Sequence, residues 1–241
     1  MRAGVRSGDR VLEVGPGTGT LTEALLELGA HVVACELDPE MVAILTERVM
    51  PVAKERLRVV QGDCLDGKHS LSPDLIGALH DTFAGASFRL VANLPYQAAT
   101  PLMILLLTTR PDCIGQFVTI QAEVADRIVA KPGSRDYGPL AVYASLLTSA
   151  EIIGTLPPSC FWPEPEVTSA LVALERRSDA PAFDPDALGA FLHTLFSKRR
   201  KQIGTTLGRG GAWPKGVEPT MRPEELSPQQ LLALMLARAS R

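Results

Sequence analysis

Arg10-Val11-Leu12-Glu13-Val14-Gly15-Pro16-Gly17-Thr18-Gly19-Thr20 is the stretch that decides the fold. A short apolar segment runs into a glycine turn, and Leu21, Leu25 and Leu28 then recur at the three-to-four spacing of a helix. The reading is strand, glycine turn, helix. His31 to Cys35 makes a second strand ending in Glu36, and Asp38-Pro39 supplies a capping carboxylate and a first-turn proline for the next helix. Two such units in about fifty residues imply a parallel sheet.

Working outward, Leu57 to Gln61 reads as a third strand ending at Gly62-Asp63, followed by a polar, weakly patterned stretch. Phe88-Arg89-Leu90-Val91-Ala92 is a fourth strand, delivering Asn93-Leu94-Pro95-Tyr96, with the next helix starting at Thr100-Pro101. Gly115 to Gln121 is a fifth strand running into Glu123-Val124-Ala125-Asp126-Arg127. A glycine-rich loop, Pro132 to Gly138, precedes a helix from Pro139 to Leu147. The alternation then stops. Glu151 to Leu156 and Val167 to Glu175 read as consecutive strands, separated by the proline-rich Pro157 to Pro165, and an antiparallel pair closing one sheet edge is expected. Ser178 to Pro185 reads as a linker. Beyond it come a helix (Asp186 to Phe196), the basic run Lys198-Arg199-Arg200-Lys201, a glycine-rich stretch to Gly216 and a last helix, Pro228 to Ala239. The expected class is therefore α/β: a Rossmann-like, mostly parallel sheet with an antiparallel edge over residues 1–177, and a small helical domain over 178–241.

Composition narrows the function. The chain has 241 residues, 46% of them hydrophobic, which suits one full-sized domain with a small appendage. No run approaches the length of a membrane span, and Met1 to Arg10 does not resemble a signal peptide, so a cytoplasmic location and no membrane partner are expected. Cys35, Cys64, Cys113 and Cys160 lie far apart and read as free thiols. His31, His69, His80 and His193 offer no paired ligand spacing, and no metal site is expected. A net charge of −3 argues that any nucleic-acid contact is local.

Gly15, Gly17 and Gly19 allow close approach of backbone to a ligand, but Thr20 stands where a dinucleotide fingerprint would place its third glycine. Glu36 suits a ribose diol and Asp63 an adenine amino group, so three consecutive strand ends describe an adenosine-shaped crevice. Asn93-Leu94-Pro95-Tyr96 indicates the reaction. An exocyclic adenine amine is a poor nucleophile because its lone pair is delocalised into the ring. The side-chain carbonyl of Asn93 and the main-chain carbonyl of Leu94 can accept both amine hydrogens, favouring a pyramidal nitrogen. Pro95 fixes the direction of the Leu94 carbonyl, and Tyr96 can stack on a base removed from its helix. The electrophile that an adenosine can carry without a metal is the methyl sulfonium of S-adenosylmethionine.

Four stretches together resemble the small-subunit ribosomal RNA adenine dimethyltransferases: Glu13 to Gly19, Asn93 to Tyr96, Glu123 to Arg127, and Phe161-Trp162-Pro163-Glu164-Pro165-Glu166-Val167-Thr168-Ser169-Ala170. The likeness runs in order from Arg10 to Leu207. It implies a class I methyltransferase fold, S-adenosylmethionine as donor, and dimethylation of two adjacent adenosines in the 3′-terminal hairpin of small-subunit rRNA; the expected partner is a pre-30S-type particle, and the chain is expected to act as a monomer. It implies cofactor contacts at Gly15, Gly17, Glu36, Asp63 and Asn93. The catalytic motif it implies is Asn93, Leu94 and Tyr96, with Phe161 helping to sandwich the target base. Lys198, Arg199, Arg200 and Lys201 become RNA-phosphate contacts, joined by Arg209 and Lys215 and extended by Arg127, Lys131 and Arg135.

Two departures stand out. Family members carry an N-terminal segment ahead of the glycine loop, whereas nine residues precede Arg10, so part of the cover over the cofactor's methionine end is expected to be lacking and donor binding to be weaker. Glu164 and Glu166 stand where neutral or basic residues are usual. Two other readings compete. A 23S-directed resistance methyltransferase shares the tetrapeptide, but the segment Asp126 to Gly138 and the long C-terminal region favour the small-subunit enzyme. A noncatalytic RNA-binding assembly or transcription factor could retain the fold, against which intact Asn93 and Tyr96 argue.

Overall fold

The computed structural model describes residues 3–67 and 70–239. In chain order its elements are β1 (Arg10–Val14), α1 (Thr20–Glu27), β2 (His31–Glu36), α2 (Pro39–Ala53), β3 (Leu57–Gln61), β4 (Leu65–Asp66), β5 (Ser70–Leu71), α3 (Pro73–Phe83), β6 (Phe88–Asn93), α4 (Tyr96–Thr109), β7 (Cys113–Gln121), α5 (Ala122–Val129), α6 (Pro139–Leu147), β8 (Thr148–Leu156), β9 (Ser169–Arg176), α7 (Pro185–Phe196), α8 (Ile203–Leu207) and α9 (Pro228–Ala239).

Seven strands form one sheet in the order β3-β2-β1-β6-β7-β9-β8. β1 pairs in parallel with both β2 and β6, so successive connections leave β1 in opposite directions. Such a reversal opens a crevice beyond the carboxyl ends of the two strands, because the loops there diverge. The register aligns those ends. Val14 stands opposite Cys35, Glu36 opposite Gln61, and Asn93 opposite Thr119. β1 and β6 match Leu12 with Leu90, and continuing that register brings Gly15 level with Asn93. β9 is antiparallel to β7 and β8 lies beyond it, which is the expected two-strand edge.

The central strands are buried on both faces, as a sheet covered by helices requires. Val11, Leu12, Val32, Val33, Ala34 and Leu90 are each fully buried. α1 and α2 seal one face through Leu25, Leu26, Leu45 and Val49. α2 begins as expected, with Asp38 accepting from the Glu40 N–H at 2.8 Å and Pro39 in the first turn.

The structure corrects several boundaries. The stretch read as weakly patterned contains the hairpin β4-β5 and helix α3. Ser72 caps α3 by accepting from the Leu75 N–H at 3.3 Å, Pro73 opens it, and Leu75, Ala78, Leu79 and Phe83 are its buried stripe. α4 starts at Tyr96 rather than at Thr100-Pro101, leaving Pro101 inside the helix. α8 interrupts the glycine-rich region after the basic run. His69 lies outside the described residues.

The chain divides into two compact units. One comprises the chain through Ala125 together with Glu151–Arg176; the other comprises Asp126–Ala150 and the chain from Arg177 onward. The single cut expected at 177/178 is thus replaced by a discontinuous division, because residues 126–150 make their contacts with the C-terminal helices. In this second unit the Tyr137 hydroxyl donates to the Leu226 carbonyl at 2.9 Å, the Tyr143 hydroxyl donates to the Pro185 carbonyl at 2.7 Å, and the rings of Tyr137 and Phe196 meet edge to face.

Candidate active site

The glycine turn is set by close packing. Gly15 has φ +74°, and a Cβ there would stand 2.9 Å from both Cδ and Cγ of Pro95. Gly19 has φ +89°, and a Cβ there would meet Leu45 and Val49 of α2 at 2.6 and 2.8 Å. A side chain at either position would be strained by backbone conformation and by contact together. Gly17 differs. Its φ is +54°, but nothing lies within 4 Å of its notional Cβ.

Beneath this loop lies Glu13, 1% exposed, whose carboxylate accepts from the Thr22 hydroxyl at 2.7 Å. Burial raises its pKa from 4.5 to about 7; the Thr22 hydrogen bond opposes that rise and the charge of Glu36 adds to it. Glu36 itself is held from two sides, accepting from the Gly17 N–H at 3.1 Å and from the Asp38 N–H at 3.0 Å. Asp63 is exposed and accepts from the Leu65 N–H at 2.9 Å.

Two cavities flank the tetrapeptide. The larger, about 530 Å³, is lined by Val14, Gly15, Cys35, Glu36, Leu37, Gly62, Asp63, Cys64, Leu65 and Pro95 to Ala98. The smaller, about 260 Å³, is lined by Asn93, Leu94, Pro95, Tyr96, Phe161, Trp162, Pro163 and Pro165. Pro95 and Tyr96 line both, so the two cavities adjoin there.

The tetrapeptide is anchored by its neighbours. The Leu94 N–H donates to the Thr119 carbonyl at 3.1 Å. The Tyr96 and Ser169 hydroxyls share a hydrogen bond at 3.3 Å, and the Ala122 N–H donates to Thr168 at 2.9 Å. Tyr96 opens α4, and Pro101, which has no N–H, leaves the Gln97 carbonyl without its usual helical partner at the edge of the larger cavity.

The expected cofactor residues Gly15, Glu36 and Asp63 therefore share one cavity. Gly17 contributes through its N–H on Glu36, whereas Asn93 lines the smaller cavity, beside Leu94, Tyr96 and Phe161. Lys198, Arg200 and Lys201 are exposed. Arg199 is not so disposed. Its guanidinium donates to Glu224, to the Arg135 carbonyl at 2.6 Å and to the Ser134 carbonyl at 2.8 Å, tying the loop after α5 to the C-terminal segment. Glu13 and Gln97 had no role in the sequence reading. The signal for Glu13 is a carboxylate flanked by Leu12 and Val14 in a strand, at the start of the stretch Glu13 to Gly19.

The larger cavity fits an adenosine sulfonium better than a dinucleotide. Its lining carries two carboxylates, Glu36 and Asp63, and no Lys, Arg or His, an environment that accepts hydroxyl and amino hydrogens and a positive charge but disfavours phosphate. Leu37 and Leu65 supply apolar surface for a base.

Sheet order, glycine turn and carboxylate-lined crevice define a Rossmann-like methyltransferase fold. Two solved structures share it: a dimethyladenosine transferase from Plasmodium falciparum (TM-score 0.78, 24% identity, 98% of this chain and 92% of that one) and the 23S rRNA methyltransferase ErmE (TM-score 0.67, 23% identity, 100% and 94%). The model of the family described as ribosomal RNA adenine dimethylase matches residues 2–237, and the chain belongs to that family. Among curated relatives, the ribosomal RNA small subunit methyltransferase A of Bifidobacterium adolescentis is 39% identical over 253 residues, covering 98% of this chain and 81% of that protein. The protein of the same name from Mesorhizobium japonicum is 39% identical over 240 residues, covering 96% and 84%.

Proposed function

We infer that this chain transfers methyl groups from S-adenosylmethionine to the exocyclic amines of two adjacent adenosines in the 3′-terminal hairpin of small-subunit rRNA. The observation that carries the reading is the adjacency of two cavities: a carboxylate-lined, nucleoside-sized cavity and a slot lined by Asn93, Leu94 and Phe161 have Pro95 and Tyr96 in common, so a donor in one and an acceptor in the other would meet there. When bound, the cofactor supplies an electrophilic methyl group on a sulfonium. Glu36, fixed by the Gly17 and Asp38 N–H groups, would accept from the ribose hydroxyls, and Asp63 from the adenine amine. In the adjoining slot, the Asn93 carboxamide oxygen and the Leu94 carbonyl would accept the two hydrogens of the target amine, turning its lone pair out of conjugation. Tyr96 and Phe161 would hold the ring, with the Tyr96 hydroxyl steadied by Ser169. The amine proton displaced by methylation leaves for solvent, since the slot lining holds no carboxylate, imidazole or lysine to take it.

The relatives named as small subunit methyltransferase A support the small-subunit substrate over the 23S alternative. The exposed Lys198, Arg200 and Lys201 would meet RNA phosphate, while Arg199 braces the loop behind them. The test is methylation of small-subunit particles from an unmethylated strain with radioactive donor. Label in two adjacent adenosines is expected, and Asn93→Ala should abolish it while RNA binding persists. RNA binding without label in the unsubstituted protein would instead favour a noncatalytic assembly factor.

A further inference from the structure

Trp162 is the most exposed large hydrophobic side chain among the described residues, at 97%, yet it belongs to the wall of the smaller cavity, next to Phe161 and across from Asn93 and Tyr96. The partly buried Phe161 can serve the slot itself. A tryptophan left almost wholly in water at the rim of that slot contributes nothing to the core and offers an unpartnered π-face.

The surrounding charge limits what can meet it. From Pro157 to Thr168 the chain contains no Lys or Arg, and Glu164 and Glu166 are both exposed. Phosphate is repelled here, so contact with a nucleic acid at this rim must be to a base rather than to the backbone. Prolines 163 and 165, both in the slot lining, restrict the backbone on the C-terminal side of the indole and lower the cost of ordering it. We propose that Trp162 is a stacking platform for the nucleobase adjacent to the target adenosine in the substrate strand. The proposal rests on the rRNA methyltransferase reading and deepens it: the target enters between Tyr96 and Phe161, and its neighbour stacks on the Trp162 indole outside. An aromatic platform is tolerant of base identity, which suits a slot that must receive each of two adjacent adenosines in turn.

The chain contains two tryptophans, so Trp213→Phe leaves Trp162 as the sole indole emitter. That variant is titrated with the fluorescently end-labelled 3′-terminal hairpin, following RNA binding by anisotropy and Trp162 by its own emission. Binding accompanied by quenching is expected, with quenching lost when the neighbouring adenosine is replaced by an abasic residue. Binding with unchanged emission, or quenching that depends only on the target base, overturns the platform while leaving the methyltransferase reading intact. Failure to bind the hairpin at all overturns the platform as well. In parallel, Trp162→Ala should raise KM for unmethylated particles about tenfold, with little change in kcat, and Trp162→Phe should restore most of it. Equal KM for all three proteins is the opposing result. If the unsubstituted protein transfers no label to particles, it is the methyltransferase reading that fails, which separates the two failures. Calorimetric titration with S-adenosylmethionine checks that the alanine variant keeps a folded donor site.

Discussion

Replacing Glu13 with Gln should make the protein more stable, and only above mildly acidic pH. The side chain is 1% exposed and its pKa is raised from 4.5 to about 7, chiefly by burial. A carboxyl whose folded pKa exceeds its unfolded value binds more protons in the native state between the two values. Unfolding free energy therefore falls as pH rises through that window and levels off above it. The full displacement corresponds to about 3 kcal/mol of stability present at low pH and lost by pH 8. Gln is nearly isosteric, carries no charge and can still accept from Thr22 through its amide oxygen. The variant and the parent should thus match near pH 4.5, then diverge until the variant leads by up to about 3 kcal/mol at pH 8. Urea unfolding of both proteins at several pH values between 4.5 and 8 measures this, and taking the difference removes every other titrating group. A difference that stays constant across the range would refute the reasoning, since it would mean that Glu13 has the same proton affinity folded and unfolded.

Gly15→Ala should lose about 1–3 kcal/mol in thermal unfolding and most donor affinity, because it forces a side chain into φ +74° and against Pro95. Arg199→Ala should cost about 1–3 kcal/mol of stability by releasing Glu224, Ser134 and Arg135. Lys201→Ala should leave stability unchanged and instead reduce the salt dependence of RNA binding by about one unit of slope; circular dichroism melts and filter binding over a salt series separate the two. Alkylation of the native protein at pH 8 should modify Cys160 alone, because burial pushes the thiols of Cys35, Cys64 and Cys113 up to about 12, and mass spectrometry should find four adducts after unfolding in urea.

The parts of the fold that could be read from the sequence are those where local and tertiary demands agree. β1, the glycine turn, α1 and the Asp38-Pro39 start of α2 each carry a periodicity or a cap, and the structure has them where the residues indicate. α3 also has a cap, Ser72-Pro73, and a clean apolar stripe, but polar residues on both sides obscured it. The start of α4 was misplaced because Pro101 looks like a first-turn proline. Packing of Ala99, Leu102, Met103 and Leu106 sustains helix on both sides of it at the loss of one hydrogen bond. At the site, strand ends were legible because parallel register makes them coincide. That Asn93 lines a different cavity from Glu36 and Asp63 was not, because the sequence does not show that the surface beside the tetrapeptide forms two cavities that meet at Pro95 and Tyr96. Arg199 looks identical to its basic neighbours in sequence; only the long-range approach of Glu224 and the Ser134-Arg135 backbone distinguishes it.

That Pro95 and Tyr96 line both cavities has a thermodynamic consequence. Pro95 lies close enough to the glycine turn that even a Cβ on Gly15 would press on its ring. Occupants of the two cavities would touch the same two residues, Pro95 and Tyr96, so whatever factor the bound donor imposes on RNA affinity, RNA must impose on donor affinity. A substitution at Pro95 or Tyr96 that alters this coupling factor alters it equally for both ligands. Donor affinity measured with and without RNA therefore reports the same coupling as RNA affinity measured with and without donor.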